Sequence, residues 1–493
     1  MKTKKHLRRM LLTILSALLL LNGCGTDEVT ENTAPAASGV PDKTDSAAAD
    51  EEEKQEAPES PRPAEKKEEE KLELLLYYDT YNKEYLDLLV EDFREYYPEV
   101  TVLLRDYTDL TYREAKVQLG EDLKNGNAPD LILDYVPAGY TSIPDLMHML
   151  DDGKFLPLGE LNLDLSDCNK AVLTCGEYRG TQYFLPTNFS LGCLMSTDSQ
   201  MTDLGIHDAS KVTLAEFSEK IAQYYENYPG KFAFPRQFSA VYLPYHDGVS
   251  FFDTETGELL PEEDVRRIVE EYSVYFLEGL FPDFYTGRNY MAATEKYNNS
   301  LMETFLAGDL LFDGAHHFLG GLDTLMLFNR TYTELTEAGE LPVIFTLPTS
   351  DGKAPAPMMN WYFAVNAATE NRTAVKWFIE NAIHHETQCQ IGWYYGLPVN
   401  DYALDLIYEF YTDPDSFSRR QYKSVFPVFG EFSREFVDSY FEPIRTMRKT
   451  TFTDWYITSW LMNYPWEVEA GAKTPDEIWE MTWDLVTAYV NGG

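Results

Sequence analysis

The chain has 493 residues, 82 Asp plus Glu against 40 Lys plus Arg, and a formal net charge of −42. That balance excludes a nucleic-acid binder, which needs a basic face to displace counterions from phosphates, and past residue 10 no basic cluster would draw the chain to anionic lipid. The apolar fraction of 44% is ordinary for a globular protein, whereas 34 Tyr, 28 Phe and 8 Trp make an aromatic share of 14% that calls for a use.

In chain order, Lys2, Lys4, Lys5, Arg8 and Arg9 precede an apolar run over 10–21 (MLLTILSALLLL), a charged n-region and an h-region too short for a comfortable span. Leu21-Asn22-Gly23-Cys24 follows and resembles a bacterial lipoprotein processing box, which implies cleavage after residue 23 and lipidation of Cys24. An uncleaved N-terminal anchor is the alternative; both readings put the bulk of the chain outside the cytoplasm, attached to the outer face of the cell membrane. No later stretch approaches 18 consecutive apolar residues, so no second span is expected. Residues 24–70 carry 15 acids, five bases, no aromatic residue and only Val among large aliphatics, too little apolar surface to offset chain entropy. They read as a disordered acidic tether with a reach of roughly 40 Å.

Order is expected from Lys71. LELLLYY (72–78) is strand-like, and Leu86, Leu89, Val90, Phe93 and Tyr97 then mark one face of a helix over 84–97. Pro98 follows. VTVLL (100–104) reads as the next strand, 112–124 as a second helix ending at Asn125-Gly126-Asn127, and Leu131-Ile132-Leu133 as a third strand. Strand, helix, strand, helix, strand implies a parallel sheet with crossover helices, with its ligand edge at the carboxyl ends of the strands. YFLP (183–186), LGCLMST (191–197), LLFDG (310–314) and WYFAVN (361–366) are further strands. A helix over 371–384 buries Val375, Phe378, Ile379 and Ala382. Thr474-Pro475-Asp476-Glu477 is a capping box with Pro at the first helical position, and its helix is expected to bury Ile478, Met481, Leu485, Val486 and Tyr489. Residues 231–262 are aromatic, Gly-rich and irregular.

Catalytic signatures are absent from the sequence: no GxSxG, GxxxxGK[ST] or GxGxxG occurs. His385-Glu386 opens like a zinc-protease motif but reaches Cys389 where the second His belongs. The pairs His316-His317 and His384-His385 put neighbours on opposite faces of an extended chain, so no metal site and no cofactor is expected. Paired carboxylates are harder to judge: with 82 acids some pair reaches glycosidase separation by chance. Beyond Cys24 the cysteines are Cys168, Cys175, Cys193 and Cys389; their spacing resembles no disulfide framework, and Cys168 and Cys175 are the near pair.

A succession of motifs over 71–493 resembles the extracellular solute-binding proteins of bacterial carbohydrate-type ABC importers (family 1). They are Asn127-Ala-Pro-Asp130-Leu-Ile, Gly153-Lys-Phe-Leu-Pro-Leu158, Tyr178 to Pro186, Phe305 to Gly314, Ala364-Val-Asn-Ala367 with its following helix, Gly396-Leu-Pro-Val-Asn400 and the capped C-terminal helix. Leu310-Leu311 departs from the family's small–Met pair. The resemblance implies an α/β, two-lobed periplasmic-binding-protein-like fold with discontinuous lobes joined by hinge strands. Lobe one would comprise 71–186 plus 356–398, and lobe two 187–355 plus 399–493. It also implies a monomeric, non-enzymatic receptor that closes on a small solute, a mono- or oligosaccharide, and hands it to the transmembrane subunits of an ABC permease. A glycoside hydrolase, a receptor for a cationic solute such as a polyamine, and a surface sensor are the alternatives.

A sugar presents apolar C–H faces and a rim of hydroxyls, and so calls for aromatic platforms with Asp and Asn beside them. Strand ends select Asp79 and Tyr81 after the first strand, Asp134 and Tyr135 after the third, and Asp313 and His316 after 310–312. Asn188 falls at the first expected crossing. The resemblance adds Asn360 with Trp361, Trp393 and, in the C-terminal lobe, Trp455.

Overall fold

The computed structural model describes residues 72–136, 143, 145–207, 211–234, 240–253, 256–281, 301–313, 331–423, 426, 432–454, 456–462 and 473–490. The export signal, Cys24 and the tether lie outside the described residues.

The first five elements follow the sequence pattern closely: β1 (Glu73–Tyr78), α1 (Lys83–Tyr96), β2 (Thr101–Asp106), α2 (Tyr112–Asn125) and β3 (Leu131–Tyr135). Thr111 and Glu114 form a reciprocal capping box that starts α2, and Gly126, at φ 72°, supplies the left-handed residue that ends it. A short hairpin, β4 (Glu177–Tyr178) and β5 (Thr181–Gln182), precedes β6 (Phe184–Ser190) and β7 (Cys193–Thr197). Helices α3 (Leu214–Asn227) and α4 (Glu262–Val274) come next, then β8 (Pro342–Thr346) and β9 (Met358–Val365). The chain continues through α5 (Arg372–Ala382), β10 (Leu397–Pro398), α6 (Asp401–Thr412), α7 (Arg434–Thr446) and α8 (Pro475–Val490).

Six strands form the main sheet in the order β10-β6-β9-β3-β1-β2. The expected parallel set is present, since β1 pairs parallel with both β2 and β3. The rest is antiparallel: β9 enters between β3 and β6 against both, and β10 runs against β6. A second, two-stranded antiparallel sheet joins β7 to β8. Residues 310–313, the described part of the expected strand over 310–314, do not form it. Leu310 bridges Phe232 and Asp313 bridges Met195 of β7, two single bridges and no ladder.

Period-two alternation distributes the strand side chains between two apolar layers. Leu74, Leu76, Leu131, Leu133, Phe363 and Val365 enter the layer covered by α1, α5, α6 and α7. Tyr77, Ile132, Phe184 and Ala364 enter the other, with α2, α3, α4 and α8. Both layers also take residues of β7, so the apolar core runs on from the large sheet to the small one. In α8 the buried face carries Ile478, Trp479 and Val486, while Met481 and Leu485 are exposed, against the sequence expectation. The bulky Trp479 sets the inward direction, and 481 and 485 fall to its flank. The four described cysteines are free and buried, so the near pair Cys168 and Cys175 forms no disulfide in this structure, and burial pushes both thiols up to about 12.

Candidate functional site at the carboxyl ends of β1 and β3

The strand order β3-β1-β2 fixes where a site belongs. From β1 the chain moves outward through α1 to β2, then returns through α2 past β1 to β3, and α1 and α2 lie in opposite layers. A topological switch point therefore falls between the carboxyl ends of β1 and β3.

Asp79 closes β1 and is buried. Its Oδ1 accepts the backbone N–H of Tyr81 (2.9 Å) and of Asn82 (2.8 Å), and its Oδ2 accepts the Tyr77 hydroxyl (2.8 Å). Asn82 completes the turn: Oδ1 accepts from Asp79 N at 2.9 Å, and Nδ2 donates to Tyr77 O at 2.9 Å and to Leu133 O at 3.0 Å, tying β1 to β3. Asp134 ends β3, equally buried. Its Oδ2 accepts the Tyr362 hydroxyl at 3.0 Å and its Oδ1 the Tyr135 N–H at 2.8 Å.

Lys116 of α2 reaches in between these carboxylates. Its ammonium pairs directly with Asp134 Oδ1 and lies 3.9 Å from Asp79 Oδ2. It also sits 4.8 Å from the Tyr77 ring centroid and 4.9 Å from that of Tyr112. Lys116 is 0% exposed, so the cluster holds one cation and two carboxylates away from solvent. Burial foremost, then the negative charge of these aspartates, pushes the Tyr77, Tyr112 and Tyr362 hydroxyls well above their ordinary range, which keeps them protonated donors. Above the ammonium, the Tyr81 ring lies 4.2 Å from that of Tyr112 and is 51% exposed.

A row of paired residues crosses the sheet beside this cluster: Tyr135 faces Trp361, and Trp361 faces Asn188, which in turn faces Pro398. The register of β6 against β9 shifts on both sides of Asn188, a bulge at the point where the chain heads for the second sheet. Trp361 is the hub of an aromatic cluster, with Tyr135 at 4.7 Å, Tyr85 at 5.4 Å and Tyr395 at 5.9 Å. Tyr85 and Tyr395 stack at 4.1 Å, and Tyr135 and Tyr395 remain half-buried at the edge. Asn188 holds this cluster in place: Oδ1 accepts the Tyr85 hydroxyl at 2.8 Å, and Nδ2 donates to Gly392 O at 2.5 Å. Asn360 does the same for the next turn, accepting from Ser190 Oγ at 2.8 Å and donating to Tyr395 O at 3.3 Å.

Thus Asp79, Tyr81, Asp134, Tyr135, Asn188, Asn360 and Trp361 gather at one end of the main sheet. Trp393 lies under it, 1% exposed, stacked on Tyr394 at 3.9 Å, its indole N–H without a hydrogen-bond partner. Asp313 stands apart on the second sheet, where Thr331 Oγ1 donates to its Oδ2 at 2.8 Å. His316 and Trp455 fall outside the described residues. Lys116, Tyr112, Tyr85, Tyr362 and Tyr395 escaped the sequence reading. For Lys116 a signal existed, because 112, 116, 119 and 123 form a helical stripe in which a charged residue is out of place. Among the described residues, no group of three or more His, Cys, Asp or Glu is placed to hold a metal ion, and no helix is long and apolar enough to cross a membrane.

No family model and no curated protein matches the chain. Solved structures do. A putative oligosaccharide periplasmic-binding protein from Synechococcus sp. MITs9220, in complex with zinc, matches at 14% identity over 85% of this chain and 99% of its own, with a TM-score of 0.54. The ABC substrate-binding protein from Listeria monocytogenes in complex with cycloalternan matches at 15% identity over 86% of this chain and 100% of its own (TM-score 0.50). The GacH receptor of Streptomyces glaucescens, solved unliganded and with acarbose, matches at 16% identity over 86% and 99% (TM-score 0.50). At such identities the likeness is one of fold: the chain has the α/β periplasmic-binding-protein fold, as the motif succession implied.

Proposed function

We propose that the protein is a lipid-anchored, extracytoplasmic solute-binding protein that captures a carbohydrate between two lobes and delivers it to an ABC permease, without covalent chemistry of its own. The observation that carries this reading is the aromatic assembly at the switch point. Tyr81 is exposed and Tyr135 and Tyr395 are half-buried beside buried Asp and Asn groups, the combination that suits a ligand with apolar faces and a hydroxyl rim. The fold adds support, since similar structures hold cycloalternan and acarbose. Strands β1, β2, β3, β9 and β10 fall within the proposed lobe one (71–186 plus 356–398), while β7 and β8 fall within lobe two (187–355 plus 399–493). The crossings near 186–190, at the end of β6, and 354–357 would be the hinges about which the lobes close. Cys24 would carry the lipid, the acidic segment would span the surface layer, and the receptor would act as a monomer.

Thermal-shift screening against neutral mono- and oligosaccharides tests the reading. A ligand present at 100 times its Kd raises stability by about 2.7 kcal/mol, which moves the melting temperature measurably. A response to at least one sugar class is expected; silence across sugars alongside a response to peptides or amino acids would overturn the carbohydrate assignment.

A further inference from the structure

An acidic, aromatic cleft on an acidic protein is by its charge a site for organic cations. The structure contains such a site, already filled. Two buried carboxylates, Asp79 and Asp134, and the faces of Tyr77 and Tyr112 surround one position, and the Lys116 ammonium occupies it. Every surrounding group is satisfied from within: Asp79 by Tyr77 and two backbone N–H groups, Asp134 by Tyr362, Tyr135 N–H and Lys116. A solute cation entering here would have to displace a covalently tethered one.

We infer that Lys116 is a specificity-determining residue: it acts as a built-in ammonium ligand that closes the cation cage at the carboxyl ends of β1 and β3, so that the cleft refuses amines and offers a neutral solute the exposed ring of Tyr81. The inference deepens the carbohydrate reading and rests on it for the identity of the cleft, but its central element, the caged ammonium, is testable on its own. Removing the Lys side chain beyond Cβ deletes the atoms of n-propylammonium.

The experiment is a thermal-shift titration of the full chain, wild type and Lys116→Ala, with n-propylammonium, with putrescine, and with n-propanol as the neutral isostere, at matched ionic strength. The wild type should be inert to all three. Lys116→Ala should melt well below the wild type and be raised by several degrees, saturably, by n-propylammonium and not by n-propanol. Equal rescue by propanol means a mere apolar void and overturns the inference, as does a folded variant that ignores the amine. A variant recovered folded only when n-propylammonium is present supports it. Should the variant fold under neither condition, the wild type decides: saturable stabilisation by putrescine overturns the inference, and inertness upholds it. Silence of the wild type towards every sugar counts against the carbohydrate reading alone, because the amine results judge Lys116 separately.

Discussion

Tyr81 and Trp361 are both aromatic candidates at one sheet end, yet their surroundings assign them different costs. Tyr81 is half open to solvent and leans on Tyr112, whereas Trp361 is buried among Tyr85, Tyr135 and Tyr395. Tyr81→Ala should therefore weaken sugar binding about tenfold, the worth of one aromatic contact, while leaving the melting temperature within about a degree. Trp361→Ala should cost about 3–5 kcal/mol of stability as well. Calorimetric titration and denaturant melts separate the two effects. Asp454 yields a second prediction. It is fully buried, with Oδ1 accepting the Tyr456 N–H at 2.8 Å and Oδ2 the Tyr489 hydroxyl at 3.1 Å, and burial lifts its carboxyl to about 6. The folded state thus holds this proton more tightly than the unfolded one, whose value is 3.8. Its charge costs nothing below that value, and stability falls as pH rises from there through about 6. Asp454→Asn should be more stable than wild type at pH 7.5, by up to about 3 kcal/mol, and the gain should vanish by pH 4; equal stability at both pH values would contradict the assignment. The sequence showed Asp79 and Asp134 because strand ends are legible in periodicity. Asp454 was not legible, because its burial is set by packing and its Oδ2 partner, Tyr489, comes from α8, distant in the chain.

Among the elements, those bounded by local chemistry were read best. Strands β1 to β3 and helices α1, α2, α5 and α8 announce themselves through period and caps, and their edges moved by no more than a residue or two. What local pattern could not supply was direction and pairing. β9 is buried at all eight positions, which suits a central strand of either sense, and only its place between β3 and β6 makes it antiparallel. Likewise LLFDG has the composition of a strand, but single bridges at Leu310 and Asp313 are all the ladder it finds among the described residues. The turn between 392 and β10 is the element on which the site leans. Gly396 adopts φ 143°, and a Cβ there would lie 2.6 Å from Asn360 Nδ2 and 2.8 Å from Phe189 O. Gly396→Ala should lower stability by about 2–4 kcal/mol, through strain and the displaced Asn360 contact to Tyr395. An unchanged denaturation midpoint would show that the turn is not constrained as described.

At the scale of the molecule, the acidity and the aromatic excess have different destinations. Residues 71–493 keep a formal charge of −37 after the N-terminal 70 are set aside, so most of the acidity lies beyond that segment. At the site itself it is partly cancelled, since Lys116 offsets one of two carboxylates. The aromatic residues, by contrast, converge: three rings meet around Trp361 and two more over Lys116. Fold class was legible in the order and spacing of modest motifs, because a two-lobed α/β topology repeats its turns in fixed succession. The solute was not, because it is chosen by side chains that only the closed topology brings together. Isothermal titration of the full chain with neutral oligosaccharides tests the central claim most directly. Saturable binding of one sugar per chain is expected, with Kd at or below about 100 µM, more than 5 kcal/mol of binding free energy, and no heat from polyamines. Absence of binding to every sugar, or tight binding of a polyamine in their place, would contradict it.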